Sequence, residues 1–219
     1  MSVKLISYSK GEKNESVQDI IAYTARVSNP SNQDNTETSE RLLRYLIREK
    51  HWSPFEMVSA CLEVTTTRDI ARQLLRHRSF SFQEFSQRYA DPTQDLNFLM
   101  KEARLQDTKN RQNSLDINDP NLQLDWYKQQ AEVVNAAKKS YEWAIENGIA
   151  KEQARAVLPE GIMESRLYVN GTIRSWIHYI ELRSGHGTQK EHIELARACA
   201  NALEPIFPMI KEFCHYETN

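Results

Sequence analysis

The run Val58–Thr66 constrains the fold more than any other segment. It is rich in β-branched side chains and reads as a strand. Thr67 can cap a helix immediately after it, with Ile70, Ala71, Leu74 and Leu75 on its apolar face. Strands and helices are therefore interleaved. Val3–Tyr8 alternates weakly, as a short strand does. Ser16 and Asp19 resemble a capping box, and Ile20, Ile21, Thr24 and Val27 follow at helical spacing. The turn-formers of 28–35 make a loop. Leu42, Leu43, Leu46 and Ile47 then predict a helix that stops near His51, because Pro54 disfavours helix at Ser53. Ser79–Ser86 reads as extended. Residues 91–120 are polar and without clear period, longer than an ordinary connection. Leu122–Asn147 predicts a long helix closed by Gly148. A short helix over Ala150–Leu158, a strand over Ile162–Val169 and a helix over Ile173–Leu182 follow. A last helix starts at Thr188 or Gln189 and is expected to bend at Pro205 and Pro208. The fold class is α+β: a central antiparallel sheet flanked by helices, with a long C-terminal helical part, in a single domain over 1–219.

Composition removes several classes of function. The chain of 219 residues carries a formal net charge of -2, which excludes a polybasic whole-chain nucleic-acid binder. No apolar run approaches the roughly 20 residues that span a bilayer. No secretory signal is expected. The odd count of three cysteines, Cys61, Cys199 and Cys214, favours a reducing, cytoplasmic setting. No metal site is expected: His186 and His192 lie too far apart for one helical turn, and no Cys-x-x-Cys occurs. With six glycines and neither a Gly-x-Gly-x-x-Gly nor a Walker loop, the usual nucleotide folds are not expected.

The densest chemical signal is Arg76-His77-Arg78, followed by Ser79, Ser81, Glu84, Ser86 and Arg88. Basic side chains commonly close helices, where the macrodipole favours them. Hydroxyls and a further arginine in one extended run add what phosphate binding requires. Glu84 within that run can accept from a ribose hydroxyl or hold an arginine in place. Arg155, Arg174 and Arg183 recur without an obvious acidic partner, which points to an anionic ligand. His51-Trp52-Ser53-Pro54-Phe55-Glu56 is either an aromatic-anchored turn or a ligand-contact loop.

These residues carry a resemblance. Arg76-His77-Arg78, seven residues, then Ser86 is similar to the signature of the flavin-dependent thymidylate synthases. Ala71-Arg72-Gln73 before it and Gln83 to Tyr89 after it fit as well. The likeness runs from Ala25-Arg26-Val27-Ser28 through His51–Glu56 and Ala154–Pro159 to Arg174–Arg183. Arg111–Asp116 looks most like members from large DNA viruses and phages, which implies the host-cell cytoplasm. Gln83 stands where members often have Asn, and Gln87 where they often have Gly or Ala. Asn170-Gly171-Thr172 looks shifted by one residue.

The family implies a homotetramer with tightly bound FAD at the subunit interfaces. It makes dTMP from dUMP, takes the methylene from methylenetetrahydrofolate, and uses NADPH to reduce the flavin. The resemblance implies dUMP contacts along Gln73, Leu74, Leu75 and Arg76, along Glu84, Phe85, Ser86, Gln87 and Arg88, and at Arg155 and Arg183. It implies FAD contacts at Ser53, Glu56, Arg76, His77, Arg78, Glu84, Thr172, Arg174 and His178. His51 matches a histidine beside the folate and nucleotide pocket. No Pro-Cys occurs, so uracil C5 must be made electron-rich another way; the resemblance implies that Arg183 does this, set against the N3/O4 anion. Two alternatives differ in class. Arg76–Arg88 with Phe80, Phe82 and Phe85 could be a single-strand nucleic-acid surface. A flavoprotein that has lost synthase activity would bind flavin without forming dTMP.

Overall fold

The computed structural model describes residues 1–215. In chain order the elements are β1 (Ser2–Tyr8), α1 (Val17–Ala25), α2 (Ser39–Arg48), β2 (Ser59–Thr67), α3 (Arg68–Leu74), β3 (Phe80–Glu84), α4 (Pro92–Asp95), β4 (Arg104–Gln106), β5 (Ser114–Asp116), α5 (Pro120–Glu146), α6 (Lys151–Ala154), β6 (Glu164–Thr172), α7 (Ile173–Ser184) and α8 (Lys190–Leu203). Short 3-10 turns occupy Pro30–Asn32, Ser53–Glu56, Arg155–Val157 and Pro208–Phe213. The mixed class with an antiparallel sheet is as expected.

Four strands form the main sheet in the order β1-β2-β6-β3, each pair antiparallel. Ala60, Leu62 and Val64 alternate inward along β2 and pair with Gly171, Val169 and Leu167 of β6. Two strands pass directly into helices. Thr67 ends β2 and leads into α3, and Thr172 ends β6 and leads into α7. The Thr172 hydroxyl accepts from Ser175 N–H at 3.2 Å and caps α7. These corners deliver the ends of α3 and α7 to one region. Gly171 is needed there: a Cβ built on it would lie 2.3 Å from the Phe80 ring. The Trp176 indole donates to Ala60 C=O at 3.0 Å and locks α7 to β2.

One core joins the sheet to α1, α2, α3, α7, α8 and the Pro208–Phe213 turn, around Leu43, Phe55, Leu62, Leu74, Trp176, Leu195 and Phe207. A smaller cluster under α5 holds Tyr141, Ala144, Ala154 and Leu158. The long helix begins where Asp119 caps it, accepting from Asn121 and Leu122 N–H at 3.0 and 3.1 Å. Gly148, at φ 78°, follows its end.

Several expectations are corrected. Residues 91–120, whose sequence shows no period, carry short elements: Asp91 caps α4, Phe98 bridges to Met163, and β4 and β5 form a hairpin. Side-chain anchors hold the segment, and these have no period to read. Gln130 accepts from Lys101 N–H and donates to Lys101 C=O, both at 2.8 Å. The strand expected over Ile162–Val169 runs from Glu164 to Thr172, because β2 pairs it to its end. The last helix does not bend at proline; it ends at Leu203, before Pro205, and Pro208 opens a separate 3-10 turn.

Candidate active site

Gln73 and Arg76 lie one turn apart at the end of α3, with His77 beside them. Leu74 is buried and Leu75 half-buried, so these two are packing positions. The His77 ring meets the Tyr179 ring edge-on at 5.0 Å and that of Phe80 at 6.5 Å. Arg183, in the last turn of α7, donates its Nε–H to His77 Nε2 at 3.0 Å. An imidazole that accepts at Nε2 must be neutral, with its proton on Nδ1. Burial, then the charges of Arg183, His178 and Arg76, hold it so, pulling its pKa down to about 4. Arg183 is thereby fixed through Nε, with its two terminal amino groups left over. Arg76 and Arg78 are exposed. Neither has an ion pair among the described residues, unlike Arg72, Arg88 and Arg174.

A second group surrounds β3. Glu84 accepts from Ser165 Oγ at 2.8 Å and from buried Arg68 Nη1 at 3.3 Å, with Arg72 Nη1 3.8 Å away. Of its two possible uses, Glu84 holds arginines in place. Phe85 and Ser86 are half-buried, and Ser86 Oγ accepts from Arg88 N–H at 3.4 Å within a turn. Gln87 points inward, 4% exposed, with a buried amide nitrogen that has no partner among the described residues. Arg88 pairs with Glu152 at 3.3 Å, and Arg155 Nε donates to Glu152 C=O at 3.3 Å. No hydrogen bond or ion pair among the described residues joins Arg88 or Arg155 to Arg183.

A third group faces the Ser53–Glu56 turn. Glu56 accepts from Arg174 Nη1 at 2.6 Å. The cleft there has a volume of about 330 Å³ and is lined by Trp52, Glu56, Ser79, Arg174, His178 and Glu181. Ser53 is exposed on the same turn. Thr172 spends its hydroxyl on the helix cap, so any ligand contact there falls to other atoms. His51 is exposed, edge-on to Tyr45 at 6.2 Å, and does not line this cleft.

The expectation that Arg155, Arg174 and Arg183 lack acidic partners is thus corrected for Arg174, and Arg88 is also paired. Their partners lie far away in sequence, which no local pattern reveals. The nucleic-acid alternative loses its aromatic component: Phe80 is buried, and Phe82 and Phe85 are half-buried rather than presented as stacking platforms. Sequence reasoning missed Arg68, Gln189 and His192. Arg68 carried one signal, a cation at a helix N-terminus against the macrodipole. Gln73 Nε2 donates to Gln189 Oε1 at 2.9 Å, and Gln73 Oε1 lies 3.1 Å from His192 Nδ1. His192 sits on the apolar face of α8 with Leu195, Ala196 and Cys199, and nothing in that pattern marks it as polar machinery.

A strand-to-helix scaffold that gathers fixed arginines around a neutral histidine describes an anion-binding enzyme site. The Thy1 family model, thymidylate synthase complementing protein, matches residues 4–209. The chain is 50% identical over 212 residues to the probable flavin-dependent thymidylate synthase of Paramecium bursaria Chlorella virus 1, covering 96% of this chain and 97% of the viral protein. It is 49% identical to the flavin-dependent thymidylate synthase of Synechocystis sp., again covering 96% and 97%. Two solved structures of the UMP/dUMP methylase PolB from Streptomyces cacaoi, bound with 5-Br dUMP and with 5-Br UMP, match with TM-scores of 0.77 and 0.80. Both are 25% identical, covering 97% of this chain and 93% and 92% of theirs. The chain belongs to the flavin-dependent thymidylate synthase family.

Proposed function

We propose that this chain methylates dUMP to dTMP, with methylenetetrahydrofolate as carbon donor and reduced FAD as the source of reducing equivalents. The observation that carries the reading is Arg183, a guanidinium pinned by a neutral imidazole beside Gln73 and Arg76. Uracil C5 is a poor nucleophile and must be made electron-rich. A cysteine could do this by adding to the ring, but Cys199 is fully buried and its thiol is pushed far up by burial. The Cys61 thiol is also raised by burial, within a strand. Arg183 offers the other route. Its terminal amino groups stabilise the negative charge left on O4 and N3 when N3 loses its proton. A cation already fixed in place needs no reorganisation as that charge develops.

The nucleotide phosphate falls to Arg88 and Arg155, which share Glu152, and to Ser86, whose Oγ accepts from Arg88 N–H. Glu84 keeps Arg68 and Arg72 in position. The exposed, carboxylate-free guanidiniums of Arg76 and Arg78 fit the phosphates of FAD, and the adjoining cleft with Ser53, Ser79, Arg174 and His178 fits its polar edge. FAD held by these residues would, once reduced by NADPH, supply the hydride that completes the methyl group. The large apolar side chains exposed along α5, Trp126 and Trp143 among them, support a homotetramer, with sites shared between subunits.

The test is an anaerobic incubation of FAD-loaded protein with dUMP, methylenetetrahydrofolate and NADPH, with dTMP read by mass spectrometry. FAD-dependent dTMP is expected. Bound flavin without dTMP would instead identify a flavoprotein that has lost the synthase step.

A further inference from the structure

His192 is fully buried, on the inner face of α8, and is hydrogen-bonded at both ring nitrogens. Nδ1 faces Gln73 Oε1 and Nε2 faces Tyr179 Oη, each at 3.1 Å. Gln73 in turn donates Nε2–H to Gln189 Oε1 at 2.9 Å, and Gln189 donates Nε2–H to Glu191 Oε2 at 2.8 Å. Arg104, from the β4–β5 hairpin, pairs with the other oxygen of Glu191.

The sense of this chain is set at its carboxylate end. Burial works against the charge on Glu191, but hydrogen bonds from Arg104, its own backbone amide and Gln189 hold its carboxyl below the ordinary value. An ionised carboxylate only accepts, so Gln189 must present its nitrogen to Glu191 and its oxygen to Gln73. Gln73 must then present nitrogen to Gln189 and oxygen to His192. His192 must donate from Nδ1, which leaves Nε2 as an acceptor for the Tyr179 hydroxyl. Every donor meets an acceptor from Tyr179 to Arg104, and only one tautomer of His192 closes the sequence. Burial and the charges of Arg183 and His77 keep the ring neutral, with a pKa near 3.

We infer that His192 is a positioning residue of the nucleotide site, fixing the amide of Gln73 in one orientation through its Nδ1–H. This rests on the reading of Gln73 as a dUMP contact. A free carboxamide can flip and offer a ligand either its oxygen or its nitrogen. Clamped on one side of each end, Gln73 keeps one N–H and one oxygen lone pair, in a single known arrangement, for a bound pyrimidine. An amide held before the ligand arrives loses less freedom on binding.

The experiment is a double-mutant cycle on dUMP affinity, measured by calorimetry with the FAD-loaded protein. His192→Leu keeps the volume and removes both ring nitrogens. It should weaken dUMP binding by about tenfold, the upper range for one hydrogen bond. Gln73→Ala should weaken binding as well, and His192→Leu should add nothing in the Gln73→Ala background. His192→Asn, whose Nδ2–H can replace the Nδ1–H, should recover most of the affinity. A purely structural role would not produce that rescue or that loss of additivity. Unchanged affinity in His192→Leu, or losses that add in the double variant, would overturn the inference. Unchanged affinity in Gln73→Ala would overturn the dUMP-contact reading itself, and the inference with it. If His192→Leu does not fold, Tyr179→Phe asks the same question. It removes the donor that anchors the ring at Nε2 and so loosens the hold of Nδ1–H on Gln73; a loss of about threefold that vanishes with Gln73→Ala is expected, and no loss overturns the inference.

Discussion

At His77, burial and the neighbouring charges of Arg183, His178 and Arg76 pull the pKa from its ordinary 6.5 to about 4. The unfolded chain therefore binds a proton that the folded chain refuses between those values. The corresponding stability is fully present above about pH 6.5 and is lost as pH falls through about 4. Urea unfolding midpoints should fall as pH is lowered across that window, and His77→Gln should flatten part of the slope. An unchanged slope in the variant would mean that other groups set the acid limit. His77 also bears on turnover, because its neutral Nε2 is the acceptor that aims Arg183. Arg183→Ala should lower kcat by about two to three orders of magnitude, the scale seen when one pre-placed donor to a developing anion is lost. Flavin should stay bound, which absorbance after gel filtration would show. Turnover retained in Arg183→Ala would remove the proposed route to the N3/O4 anion.

The two strand-to-helix corners are the elements on which the site depends. Gly171 pairs with Phe80 across β6 and β3, and the Phe80 ring lies 4.5 Å from that of Trp176. Gly171→Ala places a carbon 2.3 Å from Phe80 Cδ1, so the ring, and β3 with it, must move. Overpacking of this kind costs about 1–3 kcal/mol. Denaturant unfolding should show that loss, and dUMP affinity should fall with it, because β3 carries Glu84 to Arg68. The first corner was readable from its β-branched run and helical period, although Thr67 gives its hydroxyl to Asp69 and makes no side-chain cap bond; at the second, the strand was read only to Val169 and the Thr172 cap was not seen. The motif from Arg76 to Arg88 was readable too, as a string of residue types. What it touches was not. Glu56 reaches Arg174 across 118 positions, and His192 reaches Gln73 across 119. Contacts between distant segments leave no local period, so the carboxylate partners and the histidine behind the site came only from the fold.

At the scale of the molecule, α5 poses a question that its own chain does not answer. It is 27 residues long, yet its described buried residues are Gln130, Val134, Ala137, Tyr141 and Ala144. Leu124, Trp126, Tyr127, Val133 and Trp143 are exposed along it. A helix that leaves large apolar and aromatic side chains in water on that scale marks an association surface. Arg88 and Arg155 gather on Glu152, while Arg183 stands with His77. In the proposed reading, neighbouring copies share these groups. If copies of the chain complete one another's sites, assembly and turnover must be lost together. Trp143→Glu changes an exposed side chain, outside the buried face of α5, so the folded subunit should survive it. Under the proposed reading, sedimentation should find the wild type as a tetramer and this variant as smaller species, with far-ultraviolet circular dichroism unchanged and dTMP formation lost in proportion. Dilution of the wild type should lower specific activity in the same way, with recovery on reconcentration. A fully active monomer would show that each subunit carries a complete site.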